Sequence, residues 1–180
     1  MMRVAIQGVK GSYSEEAAIR LVGEELAIVE CKDFDETFDA LRVGRAENAV
    51  VPIENKIVGE IKQPNALLRS GDYRILGTMP LAVRHVLAGI PGSTFEGLRS
   101  VRSHVEALKQ CARFLASHTH LTQVIGADTA SSIKRIVDEA NSANAAICSR
   151  RAAEIYGAEI LREDIADDID NWTTFYLIAN

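Results

Sequence analysis

Cysteine is scarce in this chain, with three in 180 residues: Cys31, Cys111 and Cys148. An odd number of widely separated cysteines fits neither a disulfide framework nor a metal site. Each lies in an apolar stretch and reads as a small buried hydrophobe. That pattern suits a reducing compartment, so a cytoplasmic protein is expected. No apolar run reaches the roughly 18 residues that a membrane span needs. The N-terminus passes from Met1-Met2-Arg3 straight into a strand pattern, without the apolar region and cleavage site of a signal peptide. Positive charge is in deficit. A net charge of −5 and a pI near 5.4 argue against nucleic acid, whose binding demands a basic face. Low-complexity segments, internal repeats and long charge runs are also missing. What remains is an ordinary globular composition, 47% apolar and 25% charged, long enough for one domain or two small lobes.

Strand-length apolar runs alternate with amphipathic helix-length runs. The expected strands are Arg3–Gln7, Leu26–Cys31, Ala49–Ile53, Leu98–Arg102, Thr122–Gly126, Ala145–Cys148, Glu159–Glu163 and Thr173–Ala179. The expected helices are Ser14–Val22, Phe34–Arg42, Ile61–Arg69, Val105–Ala116, Ser131–Asn141 and Arg150–Tyr156. This alternation predicts an α/β fold with mostly parallel sheets. Ser12…Glu15, Asp33…Glu36 and Ser103…Glu106 have capping-box spacing, and Asp128 or Thr129 marks another helix start. Several starts directly follow strands, where open α/β sheets bind ligands and helix amides suit carboxylates or phosphates. Every α/β protein caps helices in this way, so the pattern gives a place and not a ligand. Tyr73 to Gly89 reads as extended throughout, too long for one strand of a small sheet. A segment crossing from one lobe to another explains it, with a second crossing at Ile160 to Asp167. The expectation is two lobes, 1–77 plus 162–180 and 78–161, with a cleft between them.

Five segments, in order, carry a resemblance. They are Gly8-Val9-Lys10-Gly11-Ser12-Tyr13-Ser14-Glu15; Val51-Pro52-Ile53-Glu54-Asn55 with Gly59; Ser103-His104-Val105-Glu106-Ala107-Leu108 with Gln110-Cys111; Asp128-Thr129-Ala130; and Asn171-x-Thr173-x-Phe175. Ala145-Ala146-Ile147, Ala152-Ala153, Tyr156-Gly157 and Ile160-Leu161 extend it over nearly the whole chain. Together they resemble prephenate dehydratase. The resemblance implies a two-lobed α/β catalytic domain like a type II periplasmic binding protein. It implies a lyase that converts prephenate to phenylpyruvate, carbon dioxide and water on the way to phenylalanine, with no metal or organic cofactor. A homo-oligomer, dimer or tetramer, is likewise implied, with a small-molecule substrate and no membrane or nucleic-acid partner.

The resemblance makes Thr173 the catalytic hydroxyl, a positioned hydrogen-bond donor to the leaving ring hydroxyl. Gly11, Ser12, Asn55, Lys56, Ser103, Thr129, Ala130, Asn171, Thr174 and Phe175 are the implied substrate-binding positions. Plainer readings stand beside these. Thr173 alone reads as a strand threonine with a satisfied hydroxyl. Ser103 and Thr129 read equally as helix caps, and Glu54 as a turn residue. His104 reads as structural and Trp172 as packing. Arg150 and Arg151 stand at a helix start, where the dipole disfavours cations, and read as an anion site or a surface or subunit contact.

The chain departs from the family at the site. Thr-Arg-Phe is expected, but Thr173-Thr174-Phe175 is present. Lys56 stands where serine is usual, and Val105-Glu106 replaces Pro-Gln. An arginine pairs bidentately with a carboxylate and threonine cannot. Lys56 is expected to supply the missing cation. The family commonly continues into an ACT domain, whereas this sequence ends at Asn180, so phenylalanine control through such a domain is not expected. Arogenate, the amino analogue of prephenate, is the alternative substrate, and Glu106 a candidate partner for its amino group. A divergent prephenate-processing enzyme and a non-catalytic small-carboxylate binding module are the other readings.

Overall fold

A computed structural model describes residues 1–180. In chain order the first elements are β1 (Met2–Gln7), α1 (Tyr13–Val22), β2 (Leu26–Cys31), α2 (Phe34–Arg42), β3 (Asn48–Asn55), the short β4 (Gly59–Glu60), α3 (Lys62–Arg69) and β5 (Arg74–Ala82). There follow β6 (Val86–Gly89), a 3-10 turn (Phe95–Gly97), β7 (Ser100–Ser103), α4 (Val105–Gln110), α5 (Ala112–Ala116), β8 (Thr122–Ile125), α6 (Thr129–Glu139), β9 (Asn144–Cys148), α7 (Arg150–Ile155), β10 (Glu159–Arg162) and β11 (Trp172–Ala179). No helix is long and apolar enough to cross a membrane.

The chain forms two compact α/β units, Met1–Val83 with Asp170–Asn180, and Arg84–Ile169. In the first, the sheet order is β2-β1-β3-β11-β5, with β4 added on β3. Strands joined through helices pair in parallel, β1 with β2 and with β3. The returning strand β11 runs antiparallel between β3 and β5. In the second unit the order is β10-β6-β9-β7-β8, parallel among β7, β8 and β9 and antiparallel at β6 and β10. The long extended stretch after Tyr73 is thus two strands in two sheets, β5 and β6, split at Val83-Arg84-His85. The unit boundaries fall at 83/84 and 169/170 rather than 77/78 and 161/162. The shift has a physical cause at each end. β5 stays paired with β11 as far as Ala82 opposite Trp172, and Ile165 is buried in the second unit's core.

Alternation along the strands builds a core on each face of the first sheet. One face carries Val4, Ile6, Val50, Leu81, Phe175 and Leu177 against Ala17 and Ala18 of α1. The other carries Ala5, Ala49, Val51, Ile53 and Ile178 against Phe38 and Leu41 of α2. Each large side chain so buried contributes about 1.5–3 kcal/mol of transfer free energy. In the second unit Leu87, Val101, Ala145 and Ile147 pack on Leu108, Cys111 and Leu115.

Two local expectations are corrected. The helix expected over Val105–Ala116 is broken at Cys111, with φ −111° and ψ 25°. Asp167 occupies the break: its amide donates to the Gln110 carbonyl at 2.7 Å, and its carboxylate accepts from the Arg113 amide at 2.9 Å. Ser103 does not cap α4. β7 runs one residue further than expected, so His104 becomes the cap and its Nδ1 accepts from the Glu106 amide at 3.2 Å.

Candidate active site

The parallel strands of each unit end where the sequence places its polar residues. In the first unit three segments meet at that edge: the Gly8–Ser12 turn after β1, the end of β3 at Asn55, and the start of β11. β11 runs antiparallel, so its N-terminal residues lie beside the C-terminal end of β3, and Thr173 stands directly opposite Asn55.

Asn55 is the hub. It is 6% exposed, and its Oδ1 accepts from the amides of Ile57 and Val58 at 2.9 and 3.0 Å. Backbone amides can only donate, so these two bonds fix which end of the Asn55 side chain is oxygen. The Nδ2 end therefore faces β11. It donates to Asn171 Oδ1 at 2.8 Å, to Thr173 Oγ1 at 2.9 Å and to the Trp172 carbonyl at 3.2 Å. Thr173 Oγ1 accepts this bond, and its own proton remains for another acceptor. Thr173 is 7% exposed and Asn171 fully buried. The Lys56 amide adds a bond to the Trp172 carbonyl at 2.9 Å.

A bulge makes this pairing possible. Glu54 pairs with Thr174, but the next pair is Pro52 with Phe175, so Ile53 has no partner on β11. Ile53 faces the α2 side of the sheet and Phe175 the α1 side. Strict alternation would put Asn55 on the face of Ile53. The extra residue reverses the alternation and brings Asn55 onto the face of Thr173, which a bulge beside a site commonly does.

The remaining expected residues divide. Lys56 pairs through Nζ with Asp170, and Trp172 Nε1 donates to the other Asp170 oxygen at 3.0 Å. Thr174 is half-buried and stands opposite Glu54 on one side and Pro80 on the other. Phe175 is 2% exposed and packs in the α1-side core, so its ring is a core residue and lines no open surface. Gly11, at φ 89°, and Ser12 build the start of α1: Glu15 Oε2 accepts from the Gly11 amide at 2.6 Å, and Ser12 Oγ accepts from the Glu15 amide at 3.2 Å. Ser103, Thr129 and Ala130 lie in the second unit, at the carboxyl ends of β7 and β8. Ser103 is fully buried and donates to the Ile147 carbonyl at 2.7 Å, which ties β7 to β9. Asp128, not Thr129, caps α6, accepting from the Ser131 amide at 2.7 Å. Thr129 and Ala130 form the first turn of that helix, with Ala130 fully buried.

Two features escaped the sequence reading. One is Asp170, whose signal was an acid three residues before Thr173, matching a lysine next to Asn55. The other is His85, 3% exposed at the start of β6, whose Nε2 lies 2.7 Å from Gln110 Oε1. Burial lowers its pKa, which favours the neutral ring. No cluster of three or more metal-ligating side chains is assembled anywhere.

Comparison with known proteins matches residues 4–180 to the family model described as prephenate dehydratase. A relative from Arabidopsis thaliana, arogenate dehydratase/prephenate dehydratase 2, is 40% identical over 178 residues, covering 99% of this chain and 46% of that protein. The chain spans about half the length of the curated relatives it matches. Among solved structures, prephenate dehydratase from Arthrobacter aurescens, in complex with L-Phe, superposes with a TM-score of 0.89 at 26% identity, over 99% of this chain and 60% of that one. A Bacillus subtilis lipoprotein described as methionine-binding has a TM-score of 0.52 at 9% identity, over 99% of this chain and 83% of that one, and shares the two-lobed α/β fold alone.

Proposed function

This chain belongs to the prephenate dehydratase family, and from that premise we propose that it catalyses the decarboxylating dehydration of prephenate to phenylpyruvate, a hydro-lyase step of phenylalanine biosynthesis. One observation carries the reading: Asn55 Nδ2 donates to Thr173 Oγ1 at 2.9 Å and leaves the hydroxyl proton for the substrate. In the reaction the bond from the ring to its carboxylate breaks. Its electron pair moves through the ring and expels the hydroxyl at the opposite carbon. Carbon dioxide and, after protonation, water are lost, and the ring becomes aromatic.

Thr173 is too weak an acid to ionise, so it acts as a fixed donor to the departing oxygen. The bond it accepts from Asn55 polarises the hydroxyl and strengthens its donation. Because the product's aromaticity supplies the driving force, positioning is the main demand on the protein. Asn171 braces the Asn55 amide. Lys56 supplies a cation for a substrate carboxylate in place of the absent arginine. Ser103, Thr129 and Ala130 are assigned to substrate binding as well, Ala130 through its helix-terminal amide. The three free, buried thiols suit a reducing compartment, and we assign the protein to the cytoplasm as a homo-oligomer.

The test is incubation of the pure protein with prephenate, reading phenylpyruvate by its absorbance in alkali. Release that disappears in Thr173→Ala supports the reading. A folded protein that releases nothing, yet is stabilised against heat by prephenate, is a binding module instead. The amino analogue arogenate is the second substrate to test.

A further inference from the structure

We propose that Asp170 sets the charge of the substrate this site accepts, and that with Lys56 it recognises an α-ammonium carboxylate. The proposal rests on the dehydratase reading above. Lys56 directly follows Asn55, and Asp170 directly precedes Asn171, the two residues whose side chains meet at Thr173. The Lys56–Asp170 pair therefore lies beside the junction that holds the catalytic hydroxyl. Trp172 Nε1, at 3.0 Å from Oδ1, fixes the orientation of the Asp170 carboxylate. The side chains of Lys56 and Asp170 are 52% and 63% exposed, so water and solutes reach both. A pair so open contributes little to stability, and the fold does not require it.

The surrounding charge makes the pair consequential. Glu60 stands opposite Glu54 across the β3–β4 pairing, and Glu54 stands opposite Thr174. Arg69 binds Glu60. Carboxylates thus outnumber cations among these neighbours, and Asp170 already neutralises Lys56. A 2-oxo dicarboxylate brings two negative charges to this edge and must compete with Asp170 for the lysine. A 2-amino acid brings an ammonium and a carboxylate together. Its ammonium pairs with Asp170 and its α-carboxylate with Lys56, one ion pair opening into two, and the only charge left over is the ring carboxylate that both substrates share. The pair is complementary to a zwitterion, and Asp170 is the partner that distinguishes the amino acid from the oxo acid.

The experiment measures kcat/KM for arogenate and for prephenate with the wild-type protein and with Asp170→Asn. The wild type is expected to prefer arogenate. Asp170→Asn is expected to lower kcat/KM for arogenate and raise it for prephenate, each by about threefold to fivefold and mainly through KM, the effect of one half-exposed charge pair. Opposite changes for the two substrates cannot come from a general structural lesion, which lowers both. If both fall together, or their ratio moves by less than about twofold, the proposal is overturned while the dehydratase reading stands. If neither substrate turns over, the dehydratase reading falls. The ratio of the two dissociation constants, measured by calorimetry on the same two proteins, then decides the role of Asp170 on the same criterion.

Discussion

Replacing Asn55 by aspartate keeps the size and shape of the side chain and reverses one of its two ends. The oxygen facing the Ile57 and Val58 amides is kept. The nitrogen facing β11 becomes a second oxygen, directed at Asn171 Oδ1, Thr173 Oγ1 and the Trp172 carbonyl. Asn171 is fully buried, so its lost partner is not replaced by water. One or two unsatisfied buried acceptors cost about 1–3 kcal/mol each. A loss of about 3 kcal/mol, or roughly 6–12 °C in Tm, is expected from thermal unfolding. The catalytic consequence is sharper. Thr173 can rotate its proton onto the new carboxylate, which removes it from the substrate. Loss of a preorganised donor typically costs on the order of 10² to 10³ in kcat, and about 10² is expected here. A protonated carboxyl donates again, so activity of the variant should recover partly as pH falls, while the wild type shows no such rise. Release of phenylpyruvate from prephenate across pH is the assay, with phenylalanine the product read when arogenate is the second substrate. An Asn55→Asp protein that stays within about threefold of wild-type kcat, against a margin of 10², would refute this proton direction.

The other predictions concern charge and thiols. Lys56→Ala is expected to abolish measurable turnover of prephenate, and unchanged turnover would show that the lysine does not stand in for arginine. Thr174→Arg in that background is expected to restore only part of it, because the new guanidinium stands opposite Glu54 and is partly neutralised there. Burial pushes Cys111 and Cys148 up to about 12 and raises Cys31, so all three thiols should resist a thiol reagent at pH 8 until the protein unfolds. The raised values also predict declining stability from about pH 9 to about 12, since the unfolded thiols release their protons first. Rapid labelling of any native thiol at pH 8 contradicts the burial.

Alternating apolar runs and capping residues made most elements legible, because those signals are local. Asp33, for instance, caps α2 as its spacing from Glu36 implies, accepting that residue's amide at 2.8 Å. Features that depend on pairing between distant segments were hidden. The bulge at Ile53 is one. Nothing in Val51-Pro52-Ile53-Glu54-Asn55 announces which residue lacks a partner, since that depends on a strand more than a hundred residues later. The break at Cys111 is another, imposed by Asp167 from outside the helix. At the site, Thr173 and Asn55 could be singled out by residue type and motif, but the direction of the bond between them could not. Phe175 belongs to the same motif and serves the core, so membership of a motif did not separate binding from packing.

The site orders its protons from the main chain outward. Two amides, fixed by the turn after β3, orient the oxygen of Asn55. Its nitrogen is thereby committed to Thr173, and the threonine's proton to the outside. Each link is set by the one before, and none needs a charged group. Position 55 requires a side chain that accepts at one end and donates at the other, which asparagine does and aspartate or serine cannot. Glutamine has the right groups on a stem one carbon too long for the paired position opposite Thr173. Position 173 requires a hydroxyl on a strand residue with a stiff first torsion, and the branch at Cβ provides it. The cation–carboxylate pair at Lys56 and Asp170 lies outside this chain of uncharged bonds. Its carboxylate, Asp170, can change the substrate's charge preference without disturbing the hydroxyl, so substitution there should alter specificity while substitution at Asn55 or Thr173 alters the reaction.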